Sequence, residues 1–318
     1  MITPLTKARY TFAYRSLVDW WRANDAVPTA LLHLDEAVSS RLEALWSEGE
    51  SVNAVADTLS ALAHFLPFSH GWVRRGWKLL KTWRKVEPAH RCAPMTPLIC
   101  LGLAGAAAQL ERPDVAALLL VGFDGMMRSQ SIFSLRRRHV SFYRDRAVVQ
   151  MEATKTTARR GGVELIVIQA AVAVATLRAA CAGLTGDQLV LRSSVSDFRR
   201  VFAGLIEVLG LNNVGVAVYS LRRGGASFDF LTHNSMERTL LRGHWQSTSA
   251  ARVYVQDAAA EITNLRLSDS QLSDLKAAAS WLDGLTAKAK QGVNGHTHRQ
   301  RKRALPGSAR AGMPRRKP

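Results

Sequence analysis

Residues 219–254 read YSLRRGGASFDFLTHNSMERTLLRGHWQSTSAARVY. The stretch opens with Tyr219 three residues before Arg222, passes Gly243-His244-Trp245, and closes on Tyr254 in a helix-compatible run. An arginine able to clamp a phosphate is followed, within one small structural unit, by a candidate nucleophile. Nowhere else in the 318 residues are reactive groups gathered this densely.

The charge of the chain points the same way. It carries 43 Lys and Arg against 25 Asp and Glu, a formal charge of +18. Ten of the cations lie from Lys288 onward, where there is no acid, and the rest leave the folded part basic as well. Such a balance suits a polyanion, because Lys and Arg gain affinity by releasing counterions from phosphates. A soluble basic protein with a solvated tail is the plainer reading, and an anionic lipid surface a weaker one. Cys92, Cys100 and Cys181 lack metal-ligand spacing and fit small buried apolar residues in a reducing compartment. No apolar run at the N-terminus suggests a signal peptide. The longest apolar run, Pro97 to Gln109, is shorter than the roughly 18–20 residues that cross a bilayer, so no membrane partner is expected.

Outward from the quoted stretch, periodicity predicts mostly helices. Four fall in the first part, over residues 8–24, Leu34–Glu48, Ser51–Leu66 and Trp72–Val86, and form a helical bundle. The fourth interleaves Trp72, Trp77 and Trp83 with Arg74, Arg75, Lys78, Lys81, Arg84 and Lys85. Its cations could hold a duplex backbone, or its tryptophans could be core and its cations merely solvated; the two are compatible. Residues 87–97 hold three prolines and read as a linker. Two apolar helices follow, Pro97–Leu110 and Pro113–Phe123, then short β-rich segments at Val140–Tyr143, Ala147–Met151 and Glu164–Ile168, expected to form a small antiparallel sheet. Helices resume at Ala170–Cys181, Ser196–Leu209, the quoted stretch, and Ala258–Leu285. From residue 288 the composition reads as disordered. The expected domains are 1–86, a linker 87–97, 98–287 with a C-terminal helix, and a basic tail 288–318.

Arg128 after two helices, Lys155 in a hairpin turn, Tyr219-x-x-Arg222, Gly243-His244-Trp245 and Tyr254 stand in the order used by tyrosine recombinases, the phage-integrase family. The chain resembles that family over about residues 5–260. Its Tyr-Ser-Leu-Arg-Arg-Gly-Gly-Ala phrasing is most similar to divergent integrase-like members found in some protists. The resemblance implies a mainly α fold with a small antiparallel sheet: an N-terminal SAM-like core-binding bundle and a DNA breaking-rejoining catalytic domain. It implies double-stranded DNA as partner, a C-shaped clamp, and a homotetramer on DNA that is a monomer or weak oligomer without it. It also implies an intracellular, DNA-associated protein, nuclear in a eukaryote and in the cytoplasm or nucleoid of a bacterium or phage host.

The physical logic stands beside the name. Cleaving a phosphodiester with a side-chain hydroxyl requires neutralising the non-bridging oxygens, for which the planar forks of Arg128 and Arg222 are suited. Lys155 is the expected acid for the departing 5′-oxygen, with Arg159 and Arg160 close by in sequence. Tyr254 is the expected nucleophile; a phenol with a reference pKa of about 10 needs neighbouring cations to favour its ionised form. A 3′-phosphotyrosyl link would conserve the bond without ATP or metal.

Three departures from the family pattern stand out. Tyr219 replaces a usual histidine and is a poor general base near neutrality. Ser131 replaces a usual glutamate. The position before the nucleophile is filled by Trp245, at the commoner spacing of nine residues, or by His244, which follows glycine at ten. No P-loop, zinc-spaced Cys/His set or Gly-x-Ser-x-Gly is present, and His296 and His298 are too few for a metal site, so neither cofactor nor metal is expected. The helix after Tyr254, with Ile262, Leu265, Leu267, Leu272, Leu275, Trp281 and Leu285, either docks on a neighbouring protomer or packs on its own domain. The rival readings of function are a catalytically decayed DNA-binding protein and a type IB topoisomerase-like nicking-closing enzyme.

Overall fold

Helix starts in the first ninety residues are written in local chemistry. Thr3 accepts a hydrogen bond from the Thr6 amide and Pro4 opens helix α1, Pro4–Ala23, earlier than periodicity suggested. Helix α2 is Leu34–Ser47, and α3, Val52–Phe65, is capped by Ser51 and stops before Pro67. Helix α4, Arg74–Val86, has no side-chain cap from its own flank. Asp35, in the first turn of α2, instead accepts from the amides of Arg75 (3.0 Å) and Gly76 (3.2 Å), so a capping bond that is usually local is here tertiary.

The computed structural model describes residues 2–87, 92–151 and 163–284, and the chain divides into two compact units, Met1–Arg91 and Cys92–Pro318. The first unit buries Leu17, Trp21, Leu42, Leu59, Leu80 and Trp83 in one core. On α4, Trp83 is core, Trp77 is half-buried and all six cations are exposed; Trp72, expected in this helix, precedes it and is exposed. One face of this helix therefore belongs to the core and the other presents positive charge.

The second unit is mainly helical with a small antiparallel sheet. Helices α5 (Pro97–Gln109) and α6 (Pro113–Asp124) come first, and α6 is buried on nearly every side, as its almost unbroken apolar sequence requires. Helix α7 is Ser129–Phe133. Strands β1 (Val140–Tyr143), β2 (Arg146–Met151) and β3 (Glu164–Ile168) pair in that order, with Val149 opposite Val140 on one side and Ile166 on the other. Then follow α8 (Ala171–Ala180), α9 (Val195–Val208), α10 (Ser220–His233), α11 (Met236–Arg242), α12 (Thr248–Arg252) and α13 (Asp257–Leu265). A last helix, α14, covers 269–284. Helix α6 is the hub, packed by α5, α8 and α10. Among the described residues no helix is long and apolar enough to cross a membrane.

Two sequence expectations change here. Residues 93–96, read as linker, belong to the second unit: the amides of Ala93 and Met95 donate to the carbonyls of Gly215 and Ser220, and Met95 and Thr96 are buried. The single helix expected over Ala258–Leu285 breaks after Leu265, and Leu267, Leu275, Ala278 and Leu282 then enter the unit's own core. Packing in cis accounts for Leu267, Leu272 and Leu275 of the apolar stripe; Ile262, Leu265 and Trp281 stay exposed, and Leu285 lies outside the described residues. So do Lys155, Arg159, Arg160 and the basic tail.

The cis packing has a direct test. Leu275 is 0% exposed and Trp281 54%. Leu275→Ala is expected to lower the stability of the second unit by about 2–5 kcal/mol in urea unfolding, and Trp281→Ala by no more than about 0.5 kcal/mol.

Candidate active site

The site is assembled on α10. Tyr219 sits at its N-terminal boundary, and Gly224-Gly225 lies one turn in. A Cβ at Gly224 would overlap the carbonyl of Met95, and one at Gly225 the carbonyl of Phe123. Without those side chains α10 lies directly on the backbone at the end of α6. That approach delivers Arg222, 3% exposed, to two carbonyls: Nη1 donates to Met126 and Nη2 to Gly243 at 2.8 Å. One buried guanidinium thus joins the turn before Arg128 to the turn that carries His244 and Trp245.

The second turn is a Schellman cap on α11. The Trp245 amide donates to Leu240 and the His244 amide to Leu241. Glycine stands one position early, at the C-cap, so His244 takes the left-handed conformation with φ +54. For a residue with a Cβ this costs roughly 1–2 kcal/mol. Trp245 folds back over Gly243, where a Cβ would fall inside its ring. Arg242 braces the turn from behind, through the Asp229 carboxylate (2.5 Å) and the Asp124 carbonyl (2.9 Å).

Tyr254 lies in a turn just beyond α12 rather than in a helix. Ser227 of α10 anchors that turn, donating to the Tyr254 carbonyl (3.4 Å) and accepting from the Gln256 amide (2.9 Å). The Tyr254 ring packs against Trp245 with centroids 4.9 Å apart, and the Arg222 guanidinium lies 4.5 Å from the Trp245 ring and 5.1 Å from that of Tyr254. The Tyr219 hydroxyl donates to the Tyr254 hydroxyl at 2.7 Å. Four residues from the quoted stretch therefore converge.

On the other side, Arg128 precedes α7 and its Nη1 is 3.5 Å from Glu164 at the start of β3. His244 Nδ1 is 4.0 Å from the same carboxylate oxygen. His244 and Trp245, alternatives for one position in sequence, thus occupy two sides of the site. Ser131 is buried in α7. Two residues that sequence reading passed over belong here. Glu164 could have been noticed as a charge at an inward position of an alternating strand. Arg223 is 3% exposed with its Nε and Nη2 lacking partners, and only its adjacency to Arg222 signalled it.

Burial sets the electrostatics. It pushes the Arg222 pKa down to about 10, helped by repulsion from Arg128. It holds the His244 imidazole below its usual value; the charges of Arg222 and Arg128 act in the same direction, and Glu164 and a hydrogen bond with the Leu165 backbone oppose. Tyr219 is pushed up to about 12 by burial and by its bond to Tyr254, so it stays a proton donor near neutrality. Arg222 Nε, Arg223 Nε and Nη2, and Trp245 Nε1 are buried N–H donors without acceptors. The site is rich in donors and positive charge, with a phenol oxygen beside them that already accepts a hydrogen bond. Such a set matches an oxyanion and a nucleophile aimed at it.

No protein-family model matches the sequence, and no curated protein matches it. Among solved structures the chain is similar to the XerH site-specific recombinase bound to palindromic difH substrate in a post-cleavage complex, at 12% identity and a TM-score of 0.45, covering 71% of this chain and 74% of that one. It is similar to XerH in a pre-cleavage complex with difH substrate at 11% identity and a TM-score of 0.48, covering 73% and 68%. Against the XerA recombinase the values are 14% and 0.44, covering 83% and 99%.

The paired phenols predict a pH signature. Tyr219 keeps its proton to about 12 in the folded chain against 10.0 for a free phenol. Its contribution to stability is therefore complete below pH 10 and is lost as pH rises towards 12. With five tyrosines in the chain, phenolate absorbance should show a late step that Tyr219→Phe removes.

Proposed function

We propose that this chain is a tyrosine recombinase, a site-specific enzyme that cuts and rejoins double-stranded DNA through a 3′-phosphotyrosyl intermediate. The observation that carries the reading is the convergence of Tyr254, Tyr219, Trp245 and Arg222 at 2.7–5.1 Å, with buried N–H donors left over. The five motifs that resemble the family add to it.

In this reading Arg128 and Arg222 offset the charge of the scissile phosphate. The Tyr254 oxygen attacks phosphorus, losing its proton to water, while the bond to the 5′-oxygen breaks and that oxygen gains one. Lys155 is the acid for the second transfer. Tyr219 does not act as a base; it donates to the Tyr254 oxygen and so favours the phenolate as it forms. Trp245 holds the Tyr254 ring, and His244 stands on the Arg128 side of the phosphate. Energy is conserved in the phosphotyrosyl bond, so a 5′-hydroxyl can reverse the step. Exchange between two sites would engage two protomers on each, a homotetramer on DNA.

A second reading follows from one observation. Both terminal nitrogens of Arg222 bond backbone carbonyls, which suits a decayed site that binds DNA without cutting it. A library of nicked duplexes with randomised flanks separates the two, with covalent protein–DNA adducts recovered after denaturation. Adduct is expected from the wild type and none from Tyr254→Phe, with Arg128→Ala slower by on the order of 10²–10³. DNA binding without adduct in every arm would establish the decayed reading.

The exposed cations of α4 are proposed to bind DNA phosphates. Lys78→Gln and Lys81→Gln should weaken binding to all duplexes alike. Each should reduce the slope of log affinity against log salt by about 1, because one phosphate is no longer neutralised. An unchanged slope would place those cations in solvent only.

A further inference from the structure

We propose that Glu164 is a positioning residue of this site, its carboxylate holding the Arg128 guanidinium and the His244 imidazole in place from the first residue of β3. The inference rests on the recombinase reading and adds to it a residue that none of the motifs contains.

Strand β3 alternates, and its inward residues are Glu164, Ile166 and Ile168. The fold thus uses isoleucine at two of the three inward positions and a carboxylate, 7% exposed, at the third. Burying a carboxylate is unfavourable unless cations meet it, and an apolar side chain of similar size usually serves stability as well or better. Two arginines do meet this one, Arg128 at 3.5 Å and Arg222 with its charge within reach, and the His244 imidazole stands 4.0 Å away. They come from three separate elements, the start of α7, the cap of α11 and the body of α10. Glu164 pairs in register with Met151, so it is fixed to the sheet and not carried on a loop. The same two strands lead into residues 152–162, which include Lys155.

His244 supplies an independent sign. The left-handed position of a Schellman cap is ordinarily glycine, and glycine is present one residue too early to take it. A strained histidine there is retained for its ring. That ring lies between the Glu164 carboxylate and the Leu165 backbone, two consecutive residues of β3. Strain at one end and a buried charge at the other are both accounted for if the pair sets the orientation and proton of His244 while Arg128 is held toward the phosphate.

The test compares the full-length wild type with Glu164→Gln and Glu164→Asp. Histidine ring signals are followed by NMR across pH, with His244→Gln identifying which of the nine belongs to His244. In Glu164→Gln the His244 midpoint is expected to move to lower pH, because an opposing charge has gone. Adduct formation on nicked duplexes should slow by on the order of 10–100-fold, while duplex affinity stays within about twofold. Glu164→Asp should recover part of both. An unchanged His244 titration overturns the proposal, as does a rate that falls only with the folded fraction. If the wild type forms no adduct, the recombinase reading fails, and the NMR comparison alone decides whether Glu164 holds His244.

Discussion

One buried guanidinium organises the second unit's functional half. Arg222 has its two terminal nitrogens on the carbonyls of Met126 and Gly243, residues far apart in sequence and each at the edge of a turn that presents a site residue. Removing the guanidinium would leave two buried carbonyls without donors and would separate the Arg128 turn from the His244 turn. Its position depends in turn on Gly224-Gly225, which let α10 rest on the backbone of α6 and of Met95. The same close approach that packs the core therefore places the chemistry.

Charge balance explains why the site is poised for an anion. Arg222 and Arg223 stand near a phenol pair and Arg128 acts on Arg222, while Glu164 meets Arg128 and is shared with His244. Burial lowers the proton affinity of Arg222 and His244 and raises that of Tyr219, so each group is biased towards its less charged form. A bound phosphate reverses the bias for the cations. The tyrosine at position 219 then has a physical sense: its phenol keeps its proton and gives a hydrogen bond to the Tyr254 oxygen.

The polar pattern behind the site is equally specific. Asp124 fixes the entry to α8, accepting from the amides of Gln169 and Ala170 just before it, while Arg242 spans its main chain and the buried Asp229. Asp35 performs the same service for α4 in the first unit. These carboxylates hold helix starts and join elements; Glu164 differs in facing the site.

Much of this is legible in the chain. Helix periodicity, proline at first turns and the alternation of β2 and β3 outline a mainly helical protein with a small sheet, because those features are local. Arg128, Tyr219, Arg222, His244, Trp245 and Tyr254 are nameable because each sits in a motif with its neighbours. The helix after Tyr254 reads as continuous but is broken, and its apolar stripe leaves its partner open, since a stripe records that a face is buried and not against what. Glu164 escapes notice because its partners lie on α7 and α11, and Arg223 because burial of a cation leaves no local trace. What the sequence determined was which groups exist and which elements carry them. The tertiary structure alone decided that His244 and Trp245 face different sides, that Tyr219 pairs with Tyr254, and that one carboxylate serves Arg128 and His244, because distances across a fold come from packing and not from spacing along the chain.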